Sequence, residues 1–430
     1  MKQKQNRDHA RVLLVGLNGV NNTGAEARVL ATIDDVRAVL GPDADITIPS
    51  LDVAATRRYV QEDAHLRVVP IPSLFFATLR CLVREHDLVL LVEGSVYMDT
   101  WTPFLLYYFL WATHCAHAFG KPCLAYAVDV GRASPLNRWL IRHEASKTDL
   151  LVTRTCAGAE TLRSWGVTAP MDVTADTALT MRTDPADEGW LKRAWPEAAG
   201  IVGFSVVDFY LWPLVFRLRG PREHCYCWPY FFSRSLERVQ AGAALAAGYA
   251  ALADRIVIGQ DKSIALICME QVDELLAREV HRRMVQADRA RIFSAREYNA
   301  SQMALLLRGL DLLVASRYHA SVLSLAGQVP QVAVGHDLRL RTLYAELGLL
   351  DGHFVEPYAP DMFKVLGQHV EQLLISSAAE RDILCRGYDD LLARARRNAG
   401  ILRTFAQAHG WVQALPERAG WQMAPSGGVI

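Results

Sequence analysis

The sequence predicts an α/β protein with two domains, each built on a mainly parallel sheet. In both halves of the chain, short runs rich in Val, Ile and Leu alternate with helical stretches, a pattern typical of βαβ units. The alternation stops between residues 176 and 196, where Arg, Thr, Asp, Pro and Glu interrupt the apolar period. A length of 430 residues with 51% hydrophobic content is enough for two cores of ordinary size.

The first predicted domain covers residues 11–190. Its strands are expected at residues 12–16, 46–48, 66–69, 88–92, 123–127 and 150–152. Residues 101–119 are apolar enough to raise the question of a membrane span, but polar residues such as Thr113, His114 and His117 interrupt them. A buried or half-buried helix is therefore the favoured interpretation. The linker to the second domain is placed at residues 176–196.

The second predicted domain covers residues 198–375. Its strands are expected at residues 201–206, 264–268, 290–293, 312–315 and 331–334. Residues 376–408 are rich in Ala, Leu, Glu and Arg at helical spacing, so a helical segment over 376–415 is expected to pack back across both domains. Residues 416–430 contain Pro-Ser-Gly-Gly and are expected to form a loose tail.

Charge and cysteine content exclude several classes of protein. Basic and acidic residues number 46 each, so no overall field draws the chain to nucleic acid or to an acidic membrane. The eight cysteines are scattered, and this spacing fits neither a disulfide framework nor a structural zinc site. The first ten residues are polar and charged, which argues against a secretory signal. We therefore expect a cytoplasmic protein without a metal site.

A polar turn follows the predicted strand 312–315. It reads Ser316-Arg317-Tyr318-His319 and leads into a short helix and a second strand. In an α/β sheet such a turn lies at the carboxyl edge, where ligands bind. Arg317 is suited to holding an oxyanion and His319 to transferring a proton, which indicates acid catalysis on an anionic substrate. The alternatives are an interdomain ion pair for Arg317 and a structural role for His319.

This turn resembles the Ser-x-Arg-x-His segment of the polysaccharide pyruvyl transferase family. Other segments resemble the family in the same order along residues 11–375: residues 22–27 (Asn-Thr-Gly-Ala-Glu-Ala), Glu93-Gly94-Ser95, residues 131–135, Arg154, Asp176 and residues 330–339. The resemblance implies a GT-B-like fold, in which two Rossmann-like domains face a cleft. It also implies transfer of pyruvate from phosphoenolpyruvate to hydroxyl groups of a sugar, forming a ketal, releasing phosphate and requiring no cofactor.

The resemblance also implies which residues form the site. His319 and Arg317 are the candidate catalytic residues, on the phosphoenolpyruvate side. The candidate substrate-binding residues are Asn22, Gly24, Glu26, Glu93, Gly94, Ser95, Arg154, Ser316 and Arg339. Arg339 stands where the family usually has Lys, and the family's consecutive glycines are reduced to Gly94. Asp176 is assigned to ordering the linker.

Two of these residue groups have simpler interpretations. The loop 16–26 contains three glycines and leads into a helix whose N-terminus favours anions, but it is equally well explained as a turn capped by Asn22 or Thr23. Arg154 follows a predicted strand and is as often a salt-bridge partner as a ligand.

An aromatic segment, residues 208–232, contains nine aromatic residues interleaved with Arg217, Arg219 and Arg222. It is interpreted either as a platform for sugar stacking or as a patch that meets a lipid-linked acceptor at the inner face of a membrane. The alternative is an inserted loop that packs against the core or against a second copy in a homodimer.

Three functions are compatible with these observations. The leading hypothesis is the ketal-forming pyruvyl transferase, with phosphoenolpyruvate and a saccharide or lipid-linked glycan as partners. The second is a nucleotide-sugar glycosyltransferase on the same scaffold, because fold does not determine function. The third is a catalytically silent glycan-binding relative, suggested by the changed glycine cluster and by Arg339 in place of Lys.

Overall fold

The computed structural model describes residues 10–100, 102–211, 214–222, 225–233, 235–335 and 337–412. The predicted loose tail at 416–430 lies outside the described residues, and so does Trp212 of the aromatic segment. All eleven predicted strands form, with ends shifted by no more than two residues.

The first half of the chain is a doubly wound parallel sheet of seven strands. Its strands are β1 (Arg11–Val15), β2 (Asp45–Ser50), β3 (Leu66–Pro70), β4 (Leu88–Leu91), β5 (Cys123–Val128), β6 (Leu150–Thr153) and β7 (Met171–Val173), and its helices are α1 (Thr23–Leu40), α2 (Val53–Arg57), α3 (Phe76–Glu85), α4 (Pro103–Ala118), α5 (Pro135–Ala145) and α6 (Cys156–Ser164). The strand order is β3-β2-β1-β4-β5-β6-β7, so the order reverses between β1 and β4. Ligands bind at such a reversal point.

The second half contains a six-stranded parallel sheet and a small antiparallel one. The strands are β8 (Ile201–Ser205), β9 (Leu214–Phe216), β10 (Cys225–Cys227), β11 (Tyr230–Phe232), β12 (Ser263–Cys268), β13 (Ala290–Ser294), β14 (Leu312–Ala315), β15 (Gln331–Val334) and β16 (Phe354–Val355). The large sheet has the order β13-β12-β8-β14-β15-β16 and reverses between β8 and β14. Strands β10, β11 and β9 form the small sheet, which we call the flap.

The helices of the second half cover both faces of its large sheet. They are α7 (Trp190–Ala194), α8 (Leu236–Gln260), α9 (Glu274–Arg283), α10 (Ala300–Arg308), α11 (Tyr318–Ser324), α12 (Leu338–Glu346), α13 (Leu350–His353), α14 (Met362–Ile375) and α15 (Ala378–Ala408). Helix α15 confirms the expected return of the C-terminal segment: Leu384 and Leu391 pack in the second core, while Leu402 and Phe405 pack against the first sheet.

Five strands were not predicted, namely β7, the three strands of the flap and β16. Each has only two or three residues, which is too short for a periodic signal. The linker is also more ordered than its composition suggested. It forms two 3₁₀ turns and α7, and Trp195 is buried beside Phe293 because the linker packs on the second core.

Two helices are relevant to the membrane question. Helix α4, within the apolar stretch, has one buried face that includes Phe109 and Leu110, as the half-buried interpretation requires. Among the described residues, α8 alone is long and apolar enough to cross a membrane by length and composition. Its inner face, with Leu245, Tyr249 and Leu252, packs into the second core, as in helices that cover a sheet.

Candidate active site between the two sheets

The strand ends of the two sheets face one cavity of about 170 Å³. A single water needs about 10–15 Å³, so the cavity has room for roughly 11–17 atoms of that size. Among the residues predicted from the sequence, those that line it are Asn22, Glu93, Ser95, Arg317, His319 and Arg339. They come from the loops after β1, β4, β14 and β15, and so from both halves of the chain.

The loop after β1 joins the two halves. The Thr23 N–H donates to the Met269 carbonyl at 2.9 Å, and the Gln271 N–H donates to the Asn21 carbonyl at 3.1 Å. The Asn22 side chain caps α1 by accepting from the Ala25 N–H at 3.1 Å. The N–H groups of Thr23 and Ala25 at the start of α1 are therefore used within the protein. The Asn22 cap agrees with the simpler interpretation of this loop, and Asn22 also faces the cavity.

His319 is the second residue of α11, the short helix after β14, and is 13% exposed at its side chain. Its Nε2 lies 3.4 Å from Oδ2 of Asp176, which comes from the first half. Burial lowers the pKa of His319, Asp176 opposes this effect, and Arg154 and Arg28 add to it. The neutral imidazole is therefore favoured near neutral pH.

Gly24 has a different role from the one expected. A Cβ at this position would lie 2.0 Å from Nδ1 of His319, so the glycine leaves space for the imidazole ring rather than for a ligand. Any larger residue must move either α1 or His319.

Asp176 is the centre of a buried charge cluster. Its Oδ2 lies 3.0 Å from Nη1 of Arg28 and also accepts from Nη1 of Arg154, whose Nε donates to Asp129 at 2.8 Å. Burial alone would raise the pKa of Asp176, but Arg28 and Arg154 outweigh it and hold the pKa well below its ordinary value. Two arginines and two aspartates, whose formal charges cancel, thus form a buried group behind His319.

Arg317 lies in the cavity wall but already has carboxylate partners. Its Nε donates to Asp273 at 3.0 Å, and its Nη1 lies 3.1 Å from Glu270. Glu270 also accepts from the Tyr226 hydroxyl at 2.8 Å. Both carboxylates belong to the second half, so Arg317 forms ion pairs within that half and the alternative of an interdomain ion pair is wrong.

Arg339 and Ser95 connect the two halves on the other side of the cavity. Nη1 of Arg339 donates to Ser95 Oγ at 2.9 Å, and its Nε donates to Asp337 at 2.7 Å. Asp337 also caps α12 by accepting from the Arg339 N–H at 2.8 Å. The hydrogen bond to Ser95 holds Arg339 of the second half at the turn after β4, where the family's consecutive glycines are reduced to Gly94.

Comparison with known proteins identifies the family of this chain. A family model described as polysaccharide pyruvyl transferase matches residues 22–337, which is most of the chain. The chain belongs to the polysaccharide pyruvyl transferase family. The matched range begins at Asn22 in the loop after β1 and ends at Asp337, beside Arg339. No curated protein matches the sequence.

Solved structures establish the fold. The S. aureus MnaA–UDP co-structure is 11% identical with a TM-score of 0.62, over 96% of this chain and 100% of that one. UDP-GlcNAc 2-epimerase from Neisseria meningitidis is 10% identical with a TM-score of 0.60, over 93% and 100%. A trehalose 6-phosphate synthase from Burkholderia multivorans is 13% identical with a TM-score of 0.52, over 93% and 97%. These likenesses confirm the GT-B-like arrangement.

Five residues suggested by the family resemblance do not line the cavity: Gly24, described above, and Arg154, Gly94, Glu26 and Ser316. Arg154 is buried among Asp129, Asp176 and the Tyr318 ring, whose centroid is 4.0 Å away. Gly94 packs against this arginine, since a Cβ there would lie 2.8 Å from its Nη1. Both residues therefore support the charge cluster rather than contact the cavity directly.

Glu26 and Ser316 point away from the cavity as well. Glu26 lies one helical turn beyond the Asn22 cap, where it is buried 3.7 Å from Arg58, and burial raises its pKa to about 8. Ser316 precedes Arg317 on extended backbone, which directs neighbouring side chains to opposite sides. Its hydroxyl therefore contacts the Tyr249 hydroxyl at 3.3 Å in the second core.

Several residues that contact His319, Arg317 or the charge cluster were not predicted as part of the site from the sequence. Asp176 was assigned to the linker, although it also contacts His319. Glu270 and Asp273 follow β12, so the strand-end argument that found Arg317 could have found them. Arg28 gave no sequence signal, because a single arginine on a helix is usually exposed.

The flap covers one side of the cavity. Leu214, Tyr226 and Tyr230 line it, and the Tyr230 ring lies 4.9 Å from the ring of Phe104 on α4 of the first half. Part of the aromatic segment therefore packs inward, as the inserted-loop interpretation expects, and part of it lines the cavity, whereas sugar stacking and membrane contact stay predictions.

Proposed function

We propose that this chain transfers pyruvate from phosphoenolpyruvate to two hydroxyl groups of a saccharide, forming a ketal and releasing phosphate. The observation that carries the proposal is the position of His319. It contacts Asp176 at the wall of a cavity that also contains Arg317 and Arg339. Membership of the polysaccharide pyruvyl transferase family supports the same reaction class.

The proposed reaction begins with a proton added to the methylene carbon of phosphoenolpyruvate. Positive charge then develops at the neighbouring carbon, which the first acceptor hydroxyl attacks. The bond between that carbon and the phosphate oxygen breaks, and the second hydroxyl closes the ketal. Of the two hydroxyl protons, one replaces the proton used at the methylene carbon and the other leaves with phosphate.

His319 is the proposed proton donor. Without substrate, burial keeps its pKa below the ordinary value. A phosphate group brought close to the ring would raise that pKa, because an adjacent negative charge favours the imidazolium ion. Donor binding would therefore charge the catalytic acid, and the Asp176 carboxylate would hold it in place.

The second half is the proposed donor side. Arginine has five N–H donors, and the contacts of Arg317 with Asp273 and Glu270 use three, so two are left for an oxyanion. The first half contributes Asn22, Glu93 and Ser95 to the cavity wall. We assign these three to the acceptor, since amide, carboxylate and hydroxyl groups suit sugar hydroxyls.

The test is an incubation of the purified chain with phosphoenolpyruvate and a panel of glycans, followed by mass spectrometry and a phosphate assay. His319→Gln should lower kcat by about 10²–10⁴-fold, because Gln keeps a donor but cannot supply a proton. His114→Gln is the matched control, since His114 pairs with Glu144 on the far side of α4 and lines no part of the cavity. Release of a nucleotide from sugar nucleotides, with no phosphate from phosphoenolpyruvate, would refute the proposal.

We also propose that the reaction takes place in the cytoplasm. The scattered cysteines of the sequence are typical of a compartment that keeps thiols reduced.

A further inference from the structure

The outer end of the flap exposes three large apolar side chains. Phe216, Leu218 and Trp228 are 62%, 69% and 54% exposed, and the indole N–H of Trp228 lies 3.4 Å from the Leu218 carbonyl. Folded proteins rarely leave grouped apolar side chains in water without a partner. We call residues 216–222 together with Trp228 the tip.

Three arginines lie among these apolar residues. Arg217, Arg219 and Arg222 are all exposed. Between Asp208 and Glu237 the sequence contains four arginines and a single carboxylate residue, Glu223, although the whole chain has no net charge. The tip is therefore a local concentration of positive charge mixed with apolar surface.

The tip is continuous with the mouth of the cavity. The Phe216 ring lies 6.1 Å from the Tyr230 ring, and Tyr230 in turn lies 4.9 Å from Phe104. On the other side, Phe104 lies 6.3 Å from Phe76, which is exposed on the first half beside exposed Leu74. A band of aromatic rings thus runs from the tip across the cavity mouth to the first half.

We propose that the tip docks on an anionic lipid membrane. Large apolar side chains enter the boundary between headgroups and acyl chains, while arginines contact the lipid phosphates. A second copy of the chain would bring the positive charges of two tips together, whereas an anionic membrane complements them. Docking would place the cavity mouth at the bilayer surface, whatever reaction the cavity performs.

The experiment is co-sedimentation of the full chain with phosphatidylcholine vesicles that either contain or lack phosphatidylserine. The wild type should bind the vesicles that contain phosphatidylserine, and added salt should weaken the binding. Each arginine near an anionic surface contributes roughly fivefold to binding, so Arg217→Gln/Arg219→Gln/Arg222→Gln should bind about a hundredfold more weakly. Phe216→Ser/Leu218→Ser/Trp228→Ser should also lose binding.

The matched control is Leu136→Ser/Trp139→Ser, which removes two exposed apolar side chains from α5 and should bind like the wild type. Absence of wild-type binding, or equal losses in the control and tip variants, would overturn the proposal. So would a concentration-dependent dimer that disappears in the apolar tip variant, because the occupant of the tip would then be a second copy. Since vesicle binding is measured without substrate, its failure leaves the proposed reaction untouched.

Discussion

The substitution Asp176→Asn tests the site most directly. It keeps the size of the side chain and removes one negative charge from the cluster of Arg28, Arg154, Asp129 and Asp176. Oδ2 of Asp176 is the oxygen that both arginines and His319 share. The variant therefore leaves a buried group with one unbalanced positive charge next to the imidazole.

The expected cost in stability is large. Breaking a buried ion pair by removing one partner typically costs about 3–5 kcal/mol, because the remaining charge loses its compensation. The pH dependence should change too. A carboxylate with a lowered folded-state pKa stabilises the protein above the ordinary Asp pKa of about 3.9 and loses that contribution as pH falls below it. Asp176→Asn should lack this component of acid unfolding.

Catalysis should respond through His319. The lost carboxylate raises the pKa of His319, whereas Arg154 and Arg28, which remain, lower it. The pKa must therefore fall further. If His319 acts as an acid, the basic limb of the kcat/KM profile should move to lower pH, and activity at neutral pH should decrease.

The assays are chemical denaturation at several pH values and a pH–rate profile with phosphoenolpyruvate. Asp390→Asn is the matched control, because Asp390 is exposed and pairs only at the surface with Arg394, so its loss should change stability by less than about 1 kcal/mol. If Asp176→Asn were as stable as this control, or if the basic limb did not move, the coupling between Asp176 and His319 would be refuted.

Three further predictions follow from individual contacts. Gly24→Ala should lower kcat about as far as His319→Gln, because the new Cβ displaces the imidazole ring of His319. The control Gly400→Ala has open space around it on α15, so it should keep the wild-type kcat and leave stability unchanged or slightly higher. Arg317→Ala should lower the free energy of unfolding by about 3–5 kcal/mol, because buried Asp273 loses its partner. The same variant should weaken phosphoenolpyruvate binding in calorimetry. Unchanged stability would contradict the pairing of Arg317 with Asp273. Because the folded protein keeps a proton on Glu26 that the unfolded chain has released, the free energy of unfolding of the wild type should fall by up to about 1.4 kcal/mol per pH unit as pH rises from roughly 4.5 to 8. Glu26→Gln should remove this dependence, and denaturation curves of both proteins at several pH values check it.

The architecture of this protein and the strand-end position of Arg317 and His319 could be predicted from the sequence alone. Apolar runs of four to six residues placed the long strands, because burial between two helical layers requires them to be continuously hydrophobic. The turn after β14 could be recognised because it directly follows one of these strands. Arg317 and His319 lie in this turn, so a single short stretch of sequence contains the whole pattern.

Which side chains share the cavity, and which of them are already paired, depends on contacts between distant parts of the chain. Asp176 and His319 are far apart in the sequence, and their contact depends on how the two halves pack. Arg154 and Arg317 look alike in the sequence, yet one is buried in the charge cluster and the other lines the cavity. Burial and partner choice arise from long-range packing, so no local pattern could have distinguished the buried arginine from the one that lines the cavity.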